Sequence, residues 1–397
     1  MKRKVKLFIV VIISITLSFS LTGCWNSREM NSLAFITSMG FDKTDKGVKL
    51  TVQVLNPRAI ASQKTVNEPS VVVYEEEGKD VEELIRKMIT ISSREMNLTH
   101  LQTVIFGEDY AKEGVSEVLD FILRHHQFRT NIYFSVAKGA TANDVLNCLT
   151  KLDTNPTVKL VNSIETSEKI WAGTGVIRTV ELVNSIIADG NSATLTGVEV
   201  RGQKNKNNTI DKLKNTKEDN LKIKGLAVLK KDKLVGWLNE DETKGYNYIS
   251  GKVKNTVGFV SNKDIGKFSI EVTNTSSKTK VSFKNGKPKV NVKIHITANI
   301  ETADSDLDIT KSKNIKKIEK ACEAKVKKLC NKSLKKAQKD LNSDIYGFGE
   351  EIHRTNPKLW DSIKNDWKHD FKDLPIDVSV KYEIIKTGTI SKSIIKE

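Results

Sequence analysis

Cysteine is scarce: four thiols, Cys24, Cys148, Cys322 and Cys330, in 397 residues. If Cys24 is modified, as its setting implies, an odd number remains, which excludes a small scaffold stapled throughout by disulfides. Cys322 and Cys330 stand eight apart in a helical pattern, about 12 Å along the axis at a rise of 1.5 Å per residue, beyond disulfide reach. Buried free thiols are therefore expected. With no C-x-x-C pair and no Cys/His cluster, no zinc site is expected.

Catalytic signatures are lacking too. G-x-S-x-G, H-E-x-x-H, the P-loop and G-x-G-x-x-G are all missing. The six histidines are scattered at 100, 125, 126, 295, 353 and 369. His125 and His126 are adjacent, so their side chains are expected to diverge at the surface, and His295 falls on the polar side of a strand. Gly173-Thr174-Gly175 is a turn signal only. Asp304, Asp306 and Asp308 resemble part of a calcium loop but lack its glycine and closing glutamate. No catalytic, cofactor-binding or metal-ligating residue is assigned, and the reading is of a non-enzyme without cofactors.

No apolar run reaches the ~20 residues that a membrane-crossing helix needs. The longest, residues 7 to 21, follows Lys2, Arg3, Lys4 and Lys6 and contains no charge, the layout of a secretory signal. It ends at Leu21-Thr22-Gly23-Cys24, which matches the bacterial lipobox. Cys24 would then carry diacylglycerol and become the mature N-terminus, and two acyl chains hold a protein to a bilayer where one does so only marginally. The competing reading is an uncleaved N-terminal anchor followed by a chance cysteine.

Acid is in deficit. Net charge is +16, of which +4 lies in residues 1 to 23, leaving +12 on the remainder. Such a chain suits anionic lipid, and export argues against nucleic acid as a partner. Lys, Asn and Ile are abundant throughout, so part of the excess is compositional.

What is present is an alternation of helical and strand periodicities. VKLTVQV (48–54) and VVVY (71–74) read as strands. Residues 80–91 read as a helix capped by Asp80, and 101–106 as a strand. Residues 112–124 form a helical pattern, 132–139 a strand, and 142–150 and 157–189 helical stretches. The polar run 201–220 cannot offset its own ordering entropy and marks a loop or junction. A hairpin follows at 221–242, then a second at 281–300 turning on Asn285-Gly286, with Val290 to Ile300 alternating strictly.

Residues 310–345 are the longest helical pattern, with Ile318, Cys322 and Val326 along one side and lysine on the other. Packing against the following sheet is preferred over lying on a membrane, because the apolar side has no aromatic. Gly347-Phe348-Gly349-Glu350 is expected to end this helix, with Phe348 and Trp360 packed. PIDVSVKYEI (375–384) is a closing strand. The fold expected is α+β and multi-domain, with mostly antiparallel sheets each packed with helices and a long C-terminal amphipathic helix against a sheet. Its divisions are 1–23 signal, 24–200 N-terminal domain, 201–220 junction and 221–397 C-terminal domain or domains, with a further division near residue 300.

CWNSREMNSLAFITSMGFDK (24–43) closely resembles the mature start of the Ger(x)C family of spore germination lipoproteins. The family's usual form is Cys-Trp-Asp followed by Arg-Glu-Leu-Asn. This chain keeps Cys24, Trp25, Arg28, Glu29 and Asn31 and departs at Asn26 and Met30. Residues 99–124, 136–146, 224–257 and 344–367 extend the likeness. The resemblance implies the C subunit of a nutrient germinant receptor, lipid-anchored through Cys24 on the outer face of the spore inner membrane. Its partners would be the A subunit and the polytopic B subunit. Trp25 would lie at the membrane interface or serve as plain tether. Two rivals stand beside this: an exported lipoprotein that itself captures a small nutrient, and an exported enzyme acting on the spore wall.

Overall fold

The computed structural model describes residues 2–20, 29–61, 68–150, 153, 155–201, 220–284 and 287–386. The basic and apolar start is a helix, α1 (Lys2–Ser20). Among the described residues no helix is long and apolar enough to cross a membrane. Cys24, Trp25 and Arg28, the run 202–219 and the turn pair Asn285-Gly286 lie outside the described residues.

The first sheet contains β1 (Leu33–Thr44), β2 (Gly47–Leu55), β3 (Val71–Gly78), β4 (Glu95–Asn97), β5 (Thr103–Gly107), β6 (Tyr133–Ala137), β7 (Thr194–Val200), β8 (Leu221–Lys230) and β9 (Lys233–Leu238). Its order is β3-β2-β1-β5-β6-β7-β8-β9, with β4 beside β1. The second sheet is β10 (Thr256–Asn262), β11 (Gly266–Lys284), β12 (Lys287–Asp304) and β13 (Ile376–Lys386), in that order.

Six of the eleven pairings are antiparallel. The parallel ones gather where burial is deepest: β1-β5, β5-β6 and β6-β7 form the middle of the first sheet. Every residue of β5 and β6 is buried, as a parallel strand covered on both faces requires. Alternation then sorts the side chains. Val104, Phe106, Phe134 and Val136 join one core with α3 (Val81–Lys87), α4 (Glu108–Glu113) and α5 (Ser116–Arg124). Ile105 and Ala137 face the other way, into a smaller core with α6 (Ala142–Leu146) and α7 (Pro156–Ile170). A short α2 (Pro57–Ala61) follows β2.

Local signals explain most boundaries. Asp80 caps α3 by accepting from the Glu83 N–H at 2.8 Å. Residues 112–124 divide into α4 and α5 because Gly114 takes φ 140°, outside the helical region. The helical stretch 157–189 is likewise two helices, α7 and α8 (Thr179–Ile187).

The hairpin 221–238 lies beyond the polar run in sequence, yet β8 pairs with β7 and extends the first sheet. Leu226, Val228 and Leu238 then reach into the core of the second sheet, alongside Tyr246 and Ile249 of α9 (Glu240–Ile249). The second hairpin pairs Lys284 with Lys287 across a two-residue connection, and its arms run 19 and 18 residues.

The long helix, α10 (Ser312–Lys335), continues through one π-helical turn to Asp340 and packs on β13 and α9. Gly347 does not end it. With φ 70° it precedes α11 (Phe348–Thr355), because Leu341–Tyr346 turn the chain away first. Helices α12 (Pro357–Ile363) and α13 (Trp367–Asp373) complete the layer, with Phe348 and Trp360 buried.

Candidate functional site

Two concave features lie where the sheets meet. The larger is a polar cleft of about 440 Å³ between α8, the end of α9, β11 and the loop leading into α11. Sequence dictates its polarity: Glu181 comes from α8, Lys252 from the turn after α9, and Ser277 and Thr279 from the long hydrophilic arm of β11. Ile177, Ile249, Ile345 and Phe348 supply the apolar wall.

At its base the Lys252 ammonium donates to the Tyr246 hydroxyl at 3.2 Å, which also accepts from Thr194 at 3.4 Å. Burial works to raise Tyr246, but the Lys252 charge and the hydroxyls of Thr194 and Ser250 outweigh it and bring the phenol below its usual range. The Tyr246 oxygen in turn raises Lys252 against burial, with Glu181 and Glu168 assisting. No carboxylate lies within ion-pair distance of this ammonium among the described residues. A cation, a carboxylate and hydroxyls around one cavity suit a small polar or zwitterionic molecule.

The second feature is an apolar groove of about 230 Å³ between edge strand β10 and α10. Lys244 sits 3.4 Å from the centre of the Trp171 ring and Lys325 4.1 Å from that of Phe259. Burial lowers Lys244, while Glu240 at 3.5 Å opposes the shift. At the floor, burial pushes the Cys322 thiol up to about 12, which keeps it protonated.

The residues singled out in sequence disperse. Cys322 and Cys330 are buried thiols outside any disulfide, as expected, and Cys148 is buried with its thiol donating to the Asp144 carbonyl at 3.2 Å. His125 and His126 do not diverge: their rings stack at 4.9 Å, because the chain leaves helical geometry after Arg124. His295 faces Glu383 at 3.3 Å. Among the described residues no group of three His, Cys, Asp or Glu could hold a metal. Gly347 and Phe348 border the cleft. Tyr246, Lys252 and the Trp171–Phe259 groove were not legible as a site, since they are brought together by segments distant in sequence: Thr194 reaches Tyr246 across 52 residues and Thr256 reaches Trp171 across 85.

Comparisons with known proteins bear on the whole chain. A profile described as "Spore germination protein N-terminal domain" matches residues 26–200, and one described as "Spore germination B3/ GerAC like, C-terminal" matches 224–388. Spore germination protein KC of Bacillus subtilis (strain 168) is 30% identical, over 98% of this chain and 97% of its own. Spore germination protein B3 of the same organism is 25% identical, over 94% and 96%. The crystal structure of the GerBC protein superposes with a TM-score of 0.56 at 20% identity, covering 87% of this chain and 96% of that one, and supports the α+β fold. By near-complete coverage from both directions, the chain belongs to the spore germination B3/GerAC-like family.

Proposed function

We propose that this protein is the lipid-anchored C subunit of a nutrient germinant receptor and acts without catalysis. It would assemble with the A subunit and the polytopic B subunit on the outer face of the spore inner membrane. The observation that carries this reading is the full-length likeness to spore germination proteins joined to a lipobox ending at Cys24. Position comes from diacylglycerol on Cys24, so the folded part need only supply protein contacts. In this reading two domains meet in sequence at 201–220, with the β8–β9 hairpin completing the first sheet.

The test is Cys24→Ala in the native spore. The wild-type protein should float with the inner membrane, carry a diacylglycerol mass on its N-terminal peptide and co-purify with polytopic subunits. The variant should lose the lipid and the germination response. An unmodified Cys24 with intact germination overturns the reading.

One observation favours a second function, direct capture of a small nutrient: the polar cleft with Lys252 and Glu181 on its walls. Calorimetry of the full chain with amino acids discriminates. Stoichiometric binding, abolished by Lys252→Ala, would support it.

A further inference from the structure

The long helix α10 presents to solvent a basic stripe that the fold does not use. Its core-facing residues Ile318, Cys322, Val326 and Cys330 are buried at four-residue intervals, the spacing that returns a 3.6-residue helix to one side. On the opposite side, Lys313, Lys316, Lys317 and Lys320 in the first half and Lys327, Lys328 and Lys335 in the second are exposed. At 3.6 residues per turn they fall within an arc of roughly 120°. None of these seven makes an ion pair or a side-chain hydrogen bond among the described residues.

The other charges of the helix are engaged. Lys325 reaches the Phe259 carbonyl and Lys332 pairs with Asp241. Of the acids near the stripe, Glu319 and Glu323 turn away to the backbone of β13, and Asp377, whose charge is felt by Lys327, pairs with Lys289. Partnered and unpartnered charges thus separate by face. A face with one sign of charge left unpaired attracts anions from outside.

The composition of the stripe selects the anion. Ala324 and Asn331 share it, and Leu334 at its margin is buried, so what the stripe shows to solvent contains neither arginine nor an aromatic nor a large aliphatic residue. Protein interfaces concentrate arginine and aromatics at their centre and are depleted in lysine. Lysine is a compact, strongly hydrated charge without the guanidinium's planar fork, and nothing here compensates dehydration. A row of hydrated point charges along 24 helical residues, about 36 Å at 1.5 Å per residue, instead matches a flat and diffuse negative surface. Anionic headgroups attract such clusters without displacing their water, over a distance limited by salt screening.

We propose that this face of α10 lies against an anionic lipid surface as a second membrane contact, orienting the folded part over the bilayer. The inference rests on the membrane-attached reading above. The helix remains packed on its sheet and does not enter the hydrocarbon.

The experiment uses the full chain reconstituted into phosphatidylcholine vesicles with or without phosphatidylglycerol. Lysines are acetylated with an amine reagent and each site is read by mass spectrometry. With phosphatidylglycerol at low salt the stripe lysines should react at least about fivefold more slowly than in neutral vesicles, and high salt should abolish the protection. Lys278 and Lys293, exposed on the far side of the second sheet, should react equally in both. In the exposed-site variant K316E/K317E/K320E, Lys327 and Lys328 should lose protection while circular dichroism stays unchanged. Equal reactivity in both vesicles overturns the proposal. Protection that needs no phosphatidylglycerol, or survives high salt, also overturns it and indicates a protein contact. The mass of the Cys24 peptide in the same sample separates the two readings: acylated Cys24 with unprotected lysines sinks only this one.

Discussion

Glu319 on α10 accepts the backbone N–H of Ile384 on β13 at 2.9 Å, and Glu323 one turn later accepts that of Tyr382 at 3.2 Å. The match is geometric. Four helical residues rise about 6.0 Å and two strand residues about 6.7 Å, so an i,i+4 pair on an antiparallel helix meets alternate N–H groups of an edge strand. β13 is the free edge of the second sheet, and unpaired edges invite pairing with another chain. Glu319→Ala combined with Glu323→Ala should lower stability by about 1–3 kcal/mol and raise self-association measured by light scattering. A variant as monomeric as the wild type would show that the edge needs no such cover.

Gly190, in the loop after α8, and Gly349, in α11, cross backbone to backbone. A Cβ on Gly349 would lie 2.5 Å from the Gly190 Cα and 2.8 Å from the Trp360 ring. The neighbour is main chain and cannot rotate aside. Gly349→Ala should cost about 1–3 kcal/mol or more, the scale of overpacking, in thermal or denaturant unfolding. Gly258→Ala, whose Cβ meets nothing within 4 Å, is the control and should leave the midpoint nearly unchanged.

Asp344 is buried, and burial pushes its carboxyl up to about 6 although the N–H groups of Gly349, Phe348 and Tyr346 oppose the shift. Because the folded value exceeds the unfolded one, the contribution to stability is full at low pH and is lost as pH rises through about 6. A two-unit difference corresponds to roughly 3 kcal/mol, lost between about pH 4 and 6. Unfolding midpoints measured across that range should fall in the wild type. Asp344→Asn should be less stable throughout yet lack this slope, and an unchanged slope in the variant would assign it elsewhere.

Cys322 and Cys330 are both pushed up to about 12 by burial, so almost no thiolate exists at pH 8. Ellman's reagent should leave both unmodified in the native protein and label both in denaturant. Rapid native labelling of Cys322 alone would mean that the apolar groove opens to solvent.

Some of this architecture can be read directly along the chain. Asp80 stands before an amphipathic stripe and does cap α3. The alternation from Val290 to Ile300 does bury one side of β12, and the hairpin expected there pairs Lys284 with Lys287. The other arm is less legible. Residues 273–280 of β11 are threonine, serine, asparagine and lysine, and their strand comes from pairing with β12 rather than from their own periodicity. Gly347 illustrates the same limit. A glycine after a helix reads as its end, but the intervening turn makes it the start of the next.

Signals that act within a few residues were settled before folding: the helices and their caps, the tight hairpin, the free thiols, and the run of residues ending at Cys24. Which strands became neighbours was not. The parallel centre of the first sheet, the return of β8 and β9 to that sheet, the cleft around Lys252 and the seven lysines of α10 without an ion pair among the described residues all depend on contacts between distant segments. Periodicity assigns a residue to a face, but only long-range burial decides what that face will meet.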